Sequence, residues 1–198
     1  MFGLKFGARR QAVEGEVVTA RLNARLQPID RGDYFEDPLD EALRELSLGA
    51  VTGGGTQLAE EPVGIAYCDL EIVVESASET TLQAIIARLE QLGAPKGSKL
   101  IIEATGAEIP FGRHEGLALY LNGTELPDDV YASCDVNHVI LELDRLMGEK
   151  GKFKGHWEGS RDTGLYCYGP SFADMKAAIA PLLSDYPLCQ KALVEQIA

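Results

Sequence analysis

Cys134 and His138 stand four residues apart, and His156 and Cys167 follow them in the C-terminal half of the chain. Two thiols and two imidazoles are a zinc ligand set, because that ion takes four N or S donors in a tetrahedron. The spacing is not that of a zinc finger, and strand alternation sends Cys167 and His156 to opposite faces of a sheet, so no metal is expected. A cysteine nucleophile with a histidine base meets the same obstacle, since a thiol buried among apolar groups is inert. Of the four cysteines, Cys134 alone sits where a helix N-terminus would acidify it, and no coherent set of nucleophile, base and electrophile forms around it. No catalytic residue and no cofactor is assigned.

Two further stretches invite chemistry. Residues 52–56 read Thr-Gly-Gly-Gly-Thr, whose amides could nest an anion, but a phosphate loop precedes a helix and carries a lysine, whereas this run leads into a strand. A bulge, or close approach by another backbone, is the expected role. The loop around Asp30, Asp33 and Glu36 concentrates carboxylates without the spacing of a calcium loop. It is expected to be an acidic loop suited to a basic partner.

The elements that would position these residues occur twice. Displaced by 99 positions, Leu22-Asn23 falls on Leu121-Asn122 and Tyr67-Cys68 on Tyr166-Cys167. In the first half, Val18, Ala20, Leu22, Ala24 and Leu26 alternate with polar residues as a strand over 16–27. After a turn-rich stretch over 28–36, Asp37 and Pro38 start a helix carrying Leu39, Leu43 and Leu46, and Gly49 ends it. Strands over 50–58 and 64–75 form a hairpin, Ser78 caps a second helix with Leu82, Ile85, Ile86 and Leu89 on one side, and 98–104 closes the unit.

The second half repeats the order: a strand over 115–122, a helix capped by Asp135, a hairpin of 152–158 and 163–169, a helix from Ser171, and a last strand over 188–197. The pattern βαββαβ, written twice, predicts an α+β tandem duplication of a ferredoxin-like sandwich, with two antiparallel sheets and helices on one face of each. The expected organisation is a flexible arm over 1–15, a first repeat over 16–104, a linker over 105–114 and a second repeat over 115–198.

Parity then sorts the faces. Cys68 and Cys167 go beneath the helices, leaving Arg21, Asn23, Arg25 and Tyr67 on the open face of the first repeat and Tyr120, Asn122, His156, Tyr166 and Tyr168 on that of the second. Exposed tyrosines anchor a partner at low entropic cost, and the other role open to these rings is packing against the other repeat in a pseudo-symmetric interface. RNA-recognition modules also use sheet aromatics, but the first strand here lacks one and the net charge is −13, which repels phosphate; neither nucleic acid nor an anionic membrane is an expected partner. With no long apolar run and no paired-cysteine motif, the sequence reads as cytoplasmic. The expected function is a non-catalytic acidic binding protein that holds a protein or peptide partner, one of basic character, through its acidic loops and tyrosine face. The alternative is a small-molecule enzyme or sensor with a pocket between the repeats.

Overall fold

In the computed structural model, residues 15–198 are described; the arm expected over 1–15 lies outside them but for Gly15. The first sheet contains β1 (Glu16–Leu22), β2 (Gly49–Leu58), β3 (Ile65–Val74), β4 (Ser98–Ile102) and β5 (Ala107–Phe111), in the order β2-β3-β1-β4-β5. The second contains β6 (Glu115–Asn122), β7 (Lys152–Glu158), β8 (Asp162–Gly169) and β9 (Leu193–Gln196), in the order β7-β8-β6-β9. All these pairings are antiparallel. The chain is an α+β protein of two ferredoxin-like units.

Helices α2 (Asp37–Glu45) and α3 (Glu79–Gln91) connect the strands of the first unit, as α5 (Val136–Met147), preceded by the short α4 (Asp128–Ser133), and α6 (Phe172–Asp185) do in the second. Local chemistry fixes their ends. Ser78 accepts a hydrogen bond from the Thr81 amide at 3.2 Å, Asp135 from Asn137 at 2.8 Å and Ser171 from Asp174 at 3.2 Å, each satisfying an amide that the first turn leaves free. Beneath α2 and α3, Val18, Ala20, Leu22, Cys68, Leu70 and Ile72 are buried from water with Leu39, Leu43, Ile85 and Leu89. Leu117, Leu119, Leu121, Leu165 and Cys167 pack with Val139, Leu143, Met175 and Ile179 in the second core. Alternation places both cysteines as expected.

Several elements depart from the expectation. The stretch over 28–36 is helical, not turn-like: α1 (Pro28–Arg31) passes through a π turn, Gly32–Glu36, directly into α2. Asp37 is therefore inside a helix with φ −62° and caps nothing. The extra residue of the π turn sends Phe35 into the core, where it is 1% exposed, a tertiary gain no local pattern records. The presumed linker contains β5, folded back on β4 through a turn with Gly106 at φ +68°. Its Ile109 and Phe111 complete the first core, and Pro110 is tolerated because the strand lies at the edge. Leu46, at the end of α2, stays 62% exposed.

The 99-residue spacing holds only in part. Cys68 pairs across the sheet with Leu22, whereas Cys167 pairs with Leu117 and not with Leu121. The third strands correspond at that spacing, and the first strands have slipped by four residues, which preserves which side chains face the helices.

Candidate functional site

The open faces of the two sheets have different fates. On the first, β1 and β3 present Arg21 opposite Asp69 and Thr19 opposite Glu71. Arg21 holds Asp69 with two hydrogen bonds of 2.9 and 3.0 Å, and its guanidinium lies 4.2 Å from the centre of the Tyr67 ring. Its pKa rises above the ordinary arginine value chiefly through the hydrogen bond to Asp69. Lys99 meets Glu108 at 2.7 Å, and Thr19 donates to Glu103 at 2.7 Å. Glu71 is exposed and has no ion pair or side-chain hydrogen bond among the described residues. Along this row Thr19 is buried, Arg21, Tyr67 and Asp69 are half-buried and Glu71 is exposed.

The corresponding face of the second sheet is covered. Tyr120, Tyr166 and Tyr168 are 3%, 0% and 2% exposed, which corrects the expectation of an open tyrosine face. They belong to the core cluster of the first repeat, together with Ala24, Leu26 and Phe35. The covering chain is the extended segment after β1 and the turn before β3. The Arg25 amide donates to the Tyr168 hydroxyl at 2.7 Å, the Arg25 guanidinium reaches the Tyr120 hydroxyl, and Tyr166 donates to the Val63 carbonyl at 3.0 Å. Tyr120 and Tyr166 meet edge to face, with centroids 6.5 Å apart. Burial pushes the Tyr166 phenol up to about 12, so all three hydroxyls act as neutral hydrogen-bonding groups.

His156 does not stand on the tyrosine face. A β-bulge between Phe153 and Gly155 breaks the alternation of β7, so Gly155 and Trp157 come opposite Tyr166 and Gly164 while His156 pairs with Leu165. Gly155 admits the first repeat closely: a Cβ there would lie 3.2 Å from the Arg25 carbonyl and 3.3 Å from Asp30. Trp157 packs over Gly64, whose φ of +67° and lack of a side chain make room for the indole. The sequence offered one signal for this seam, the glycine in a strand at Gly155, but nothing local singled out Trp157 or Lys154.

The remaining predicted residues have structural roles. Asn23 donates to the Lys96 carbonyl at 2.9 Å, and Asn122 closes its own turn by accepting from the amides of Thr124 and Glu125 at 3.0 and 2.7 Å. The acidic stretch is not a free loop. Glu36 is bound to the buried Arg31 at 2.5 Å, and Arg31 also donates to Thr56 at 2.7 Å. This pair sits against the glycine-rich strand: a Cβ on Gly54 would strike Glu36 and come within 2.6 Å of the Asp69 carbonyl. Asp30 faces the second repeat, and burial raises its carboxyl above the usual range despite His156 nearby. Asp33 remains exposed.

Arg21 and Tyr67 meet on the face of the first sheet, whereas Arg25 lies 5.5 Å from the ring of the fully buried Tyr166, so among the described residues these four and His156 do not converge on one pocket. The open cleft at the junction, of about 310 Å³, is bordered instead by Glu61, Pro62, Asn122, Gly159, Arg161 and Asp162. All four thiols are free, and burial pushes that of Cys68 up to about 12. No helix among the described residues is long and apolar enough to cross a membrane.

No protein-family model and no curated protein matches the chain. Solved structures that resemble it include an unknown protein from Galdieria sulphuraria, 9% identical with a TM-score of 0.31, covering 92% of this chain and 98% of that one. A regulatory subunit of aspartate kinase from Thermus flavus is 12% identical with a TM-score of 0.29, over 83% of this chain and 92% of its own. A putative monooxygenase from Lactobacillus acidophilus is 10% identical with a TM-score of 0.31, over 92% and 93%. Likenesses this distant carry no argument about activity.

Proposed function

We propose that this is a non-catalytic binding protein that holds a basic protein or peptide segment on the uncovered sheet face of its first repeat, around Arg21, Tyr67, Asp69 and Glu71. One observation supports the reading: the same face of the second repeat already grips polypeptide, the 23–35 and 61–64 segments of the first. In place of buried tyrosines, the uncovered face offers a half-buried Tyr67 and carboxylates at Asp69, Glu71, Glu103 and Glu108 against the cations of Arg21 and Lys99. Asp69 and Glu108 are already paired and Glu103 accepts from the neutral Thr19 hydroxyl, which leaves Glu71, without any side-chain partner among the described residues, and the unneutralised Glu103 as the charges available to an incoming lysine or arginine. Four unpaired cysteines suit a reducing compartment, the cytoplasm.

Peptides selected from a displayed random library on the immobilised full-length chain test this. They should be enriched in Lys and Arg, and Tyr67→Ala or Glu71→Lys should weaken them at least about tenfold while thermal unfolding is unchanged. Selected peptides that bind both variants as they bind the parent would overturn the reading. The second reading, a small-molecule sensor, draws on the junction cleft with its Arg161 guanidinium and Asp162 carboxylate. Arg161→Ala should then remove a metabolite-induced rise in melting temperature that Tyr67→Ala leaves intact.

A further inference from the structure

The seam between the repeats contains a buried cation. The β7 bulge turns Lys154 inward until it is 7% exposed. Its ammonium donates to the Leu92 carbonyl at 2.8 Å and lies 4.7 Å from the Phe35 ring centre and 5.3 Å from that of Tyr34. Leu92 caps the C-terminus of α3, so the charge of one repeat meets the negative end of a helix dipole in the other. Among the described residues it has no carboxylate partner.

His114 shares this space. It lies where the chain crosses between repeats, its amide donating to the Ala94 carbonyl at 3.2 Å and its carbonyl accepting from Lys96 at 2.7 Å. The ring Nδ1 is buried without a hydrogen-bond partner. Gly93, at φ +85°, makes room for both groups: a Cβ there would stand 2.9 Å from His114 Nδ1 and 3.2 Å from Lys154 Nζ. The charged and titratable neighbours on the surrounding elements are Lys152 on β7, Tyr34 on the π turn, Asp144 of α5, which accepts from the Phe153 amide at 2.8 Å, Glu90 of α3 paired with Arg113, and Glu115 of β6 paired with Lys96. Glu90 and Glu115 are thus bound to other cations, and Asp144 to a backbone amide.

We propose that His114 and Lys154 form an acid-sensitive latch between the repeats: with His114 neutral, the Lys154 ammonium ties the second repeat to the end of α3, and a proton on His114 puts a second positive charge into the same space and loosens the seam. Burial, and then Lys154, hold the His114 pKa below its usual 6.5; burial, and then Lys152, lower Lys154 to about 8. Both folded values lie below the unfolded ones, so the unfolded chain binds more protons and acidification opposes the docked state. The His114 contribution is fully present above pH 6.5 and is lost as pH falls through its folded value.

Trp157, the one tryptophan of the chain, sits in this seam and reports on it. In the full-length protein its emission should shift to the red in a single step with a midpoint below pH 6.5. His114→Gln should abolish that step, Lys154→Met should move its midpoint upward towards 6.5 by removing the repelling charge, and His156→Gln should leave it in place. An unchanged titration in His114→Gln, or loss of the step in His156→Gln, would overturn the latch. If His114→Gln does not fold, the imidazole Cε1 proton of the parent protein decides by NMR: a titration at or above pH 6.5 excludes the proposal, and one below it that coincides with the emission step supports it.

Discussion

The two open sheet faces occupy corresponding places in two copies of one architecture and differ in what stands on them. The second repeat puts Tyr120, Tyr166 and Tyr168 on that face, and the first repeat covers them with Leu26, Arg25 and Val63. The first puts Arg21, Asp69 and Glu71 in the same place, and they keep contact with water. Large amphipathic rings gain from leaving water as long as each hydroxyl finds a partner, and all three do. Charged pairs lose hydration on burial and recover little of it, so a face built from them remains free for solvent or for a partner that brings opposite charge. The junction is therefore asymmetric: the edge of one unit docks on the face of the other, and one face is left over.

The largest effect should come from trading rings across this comparison. Tyr166→Ala removes a fully buried ring and one of the two donors to the Val63 carbonyl, the other being the Ile65 amide, and should cost about 3–5 kcal/mol in urea unfolding. Tyr67→Ala, on the wet face, should cost about 1 kcal/mol or less. Equal losses would mean that the faces do not differ as described. A smaller contrast lies within the glycine run. Gly54→Ala meets the Arg31–Glu36 pair and the Asp69 carbonyl and should destabilise by about 1–3 kcal/mol, whereas Gly55→Ala meets nothing within 4 Å and should fall within about 0.5 kcal/mol of the parent. A tolerated Gly54→Ala would remove the close-packing account of that strand.

The smallest effect concerns pH. Glu61 of the first repeat accepts from the amide and hydroxyl of Ser160 in the second, and these hydrogen bonds hold its carboxyl below the usual range. A lowered folded pKa means a contribution present above the ordinary carboxylate value and lost as pH falls through the folded one. Glu61→Gln should lower the melting temperature slightly above about pH 5, where the carboxylate contact is present, and converge on the parent as pH falls below about 4.5, so that the acid limb flattens; thermal melts across that range follow it. An acid limb identical to that of the parent would show that this contact does not link the repeats.

Period-2 alternation named the buried residues of β1 and β3, and the caps at Ser78, Asp135 and Ser171 were legible because a side chain and an amide two or three residues away decide them. The helical passage through Gly32–Glu36 was not legible, since carboxylates and glycine read locally as a turn and only the burial of Phe35 and Arg31 makes the helix continuous. Parity placed Tyr166 correctly relative to Cys167, yet His156 went to the wrong face because one bulged residue reverses every side chain beyond it.

By itself the sequence determined two copies of one strand and helix order, which side of each sheet its helices cover, and a net charge that disfavours phosphate. These depend on neighbours a few residues apart, where pattern and propensity act. The tertiary structure alone decided that the tyrosines are core and that Lys154 and His114 share a glycine-lined space. It also decided that the first repeat's face is the bare one. Such outcomes turn on which surfaces meet between segments as far apart in the chain as 62 residues for Lys154 and Leu92 and 143 for Arg25 and Tyr168, and that choice is made by the difference in burial free energy between whole faces, a quantity that local pattern does not contain.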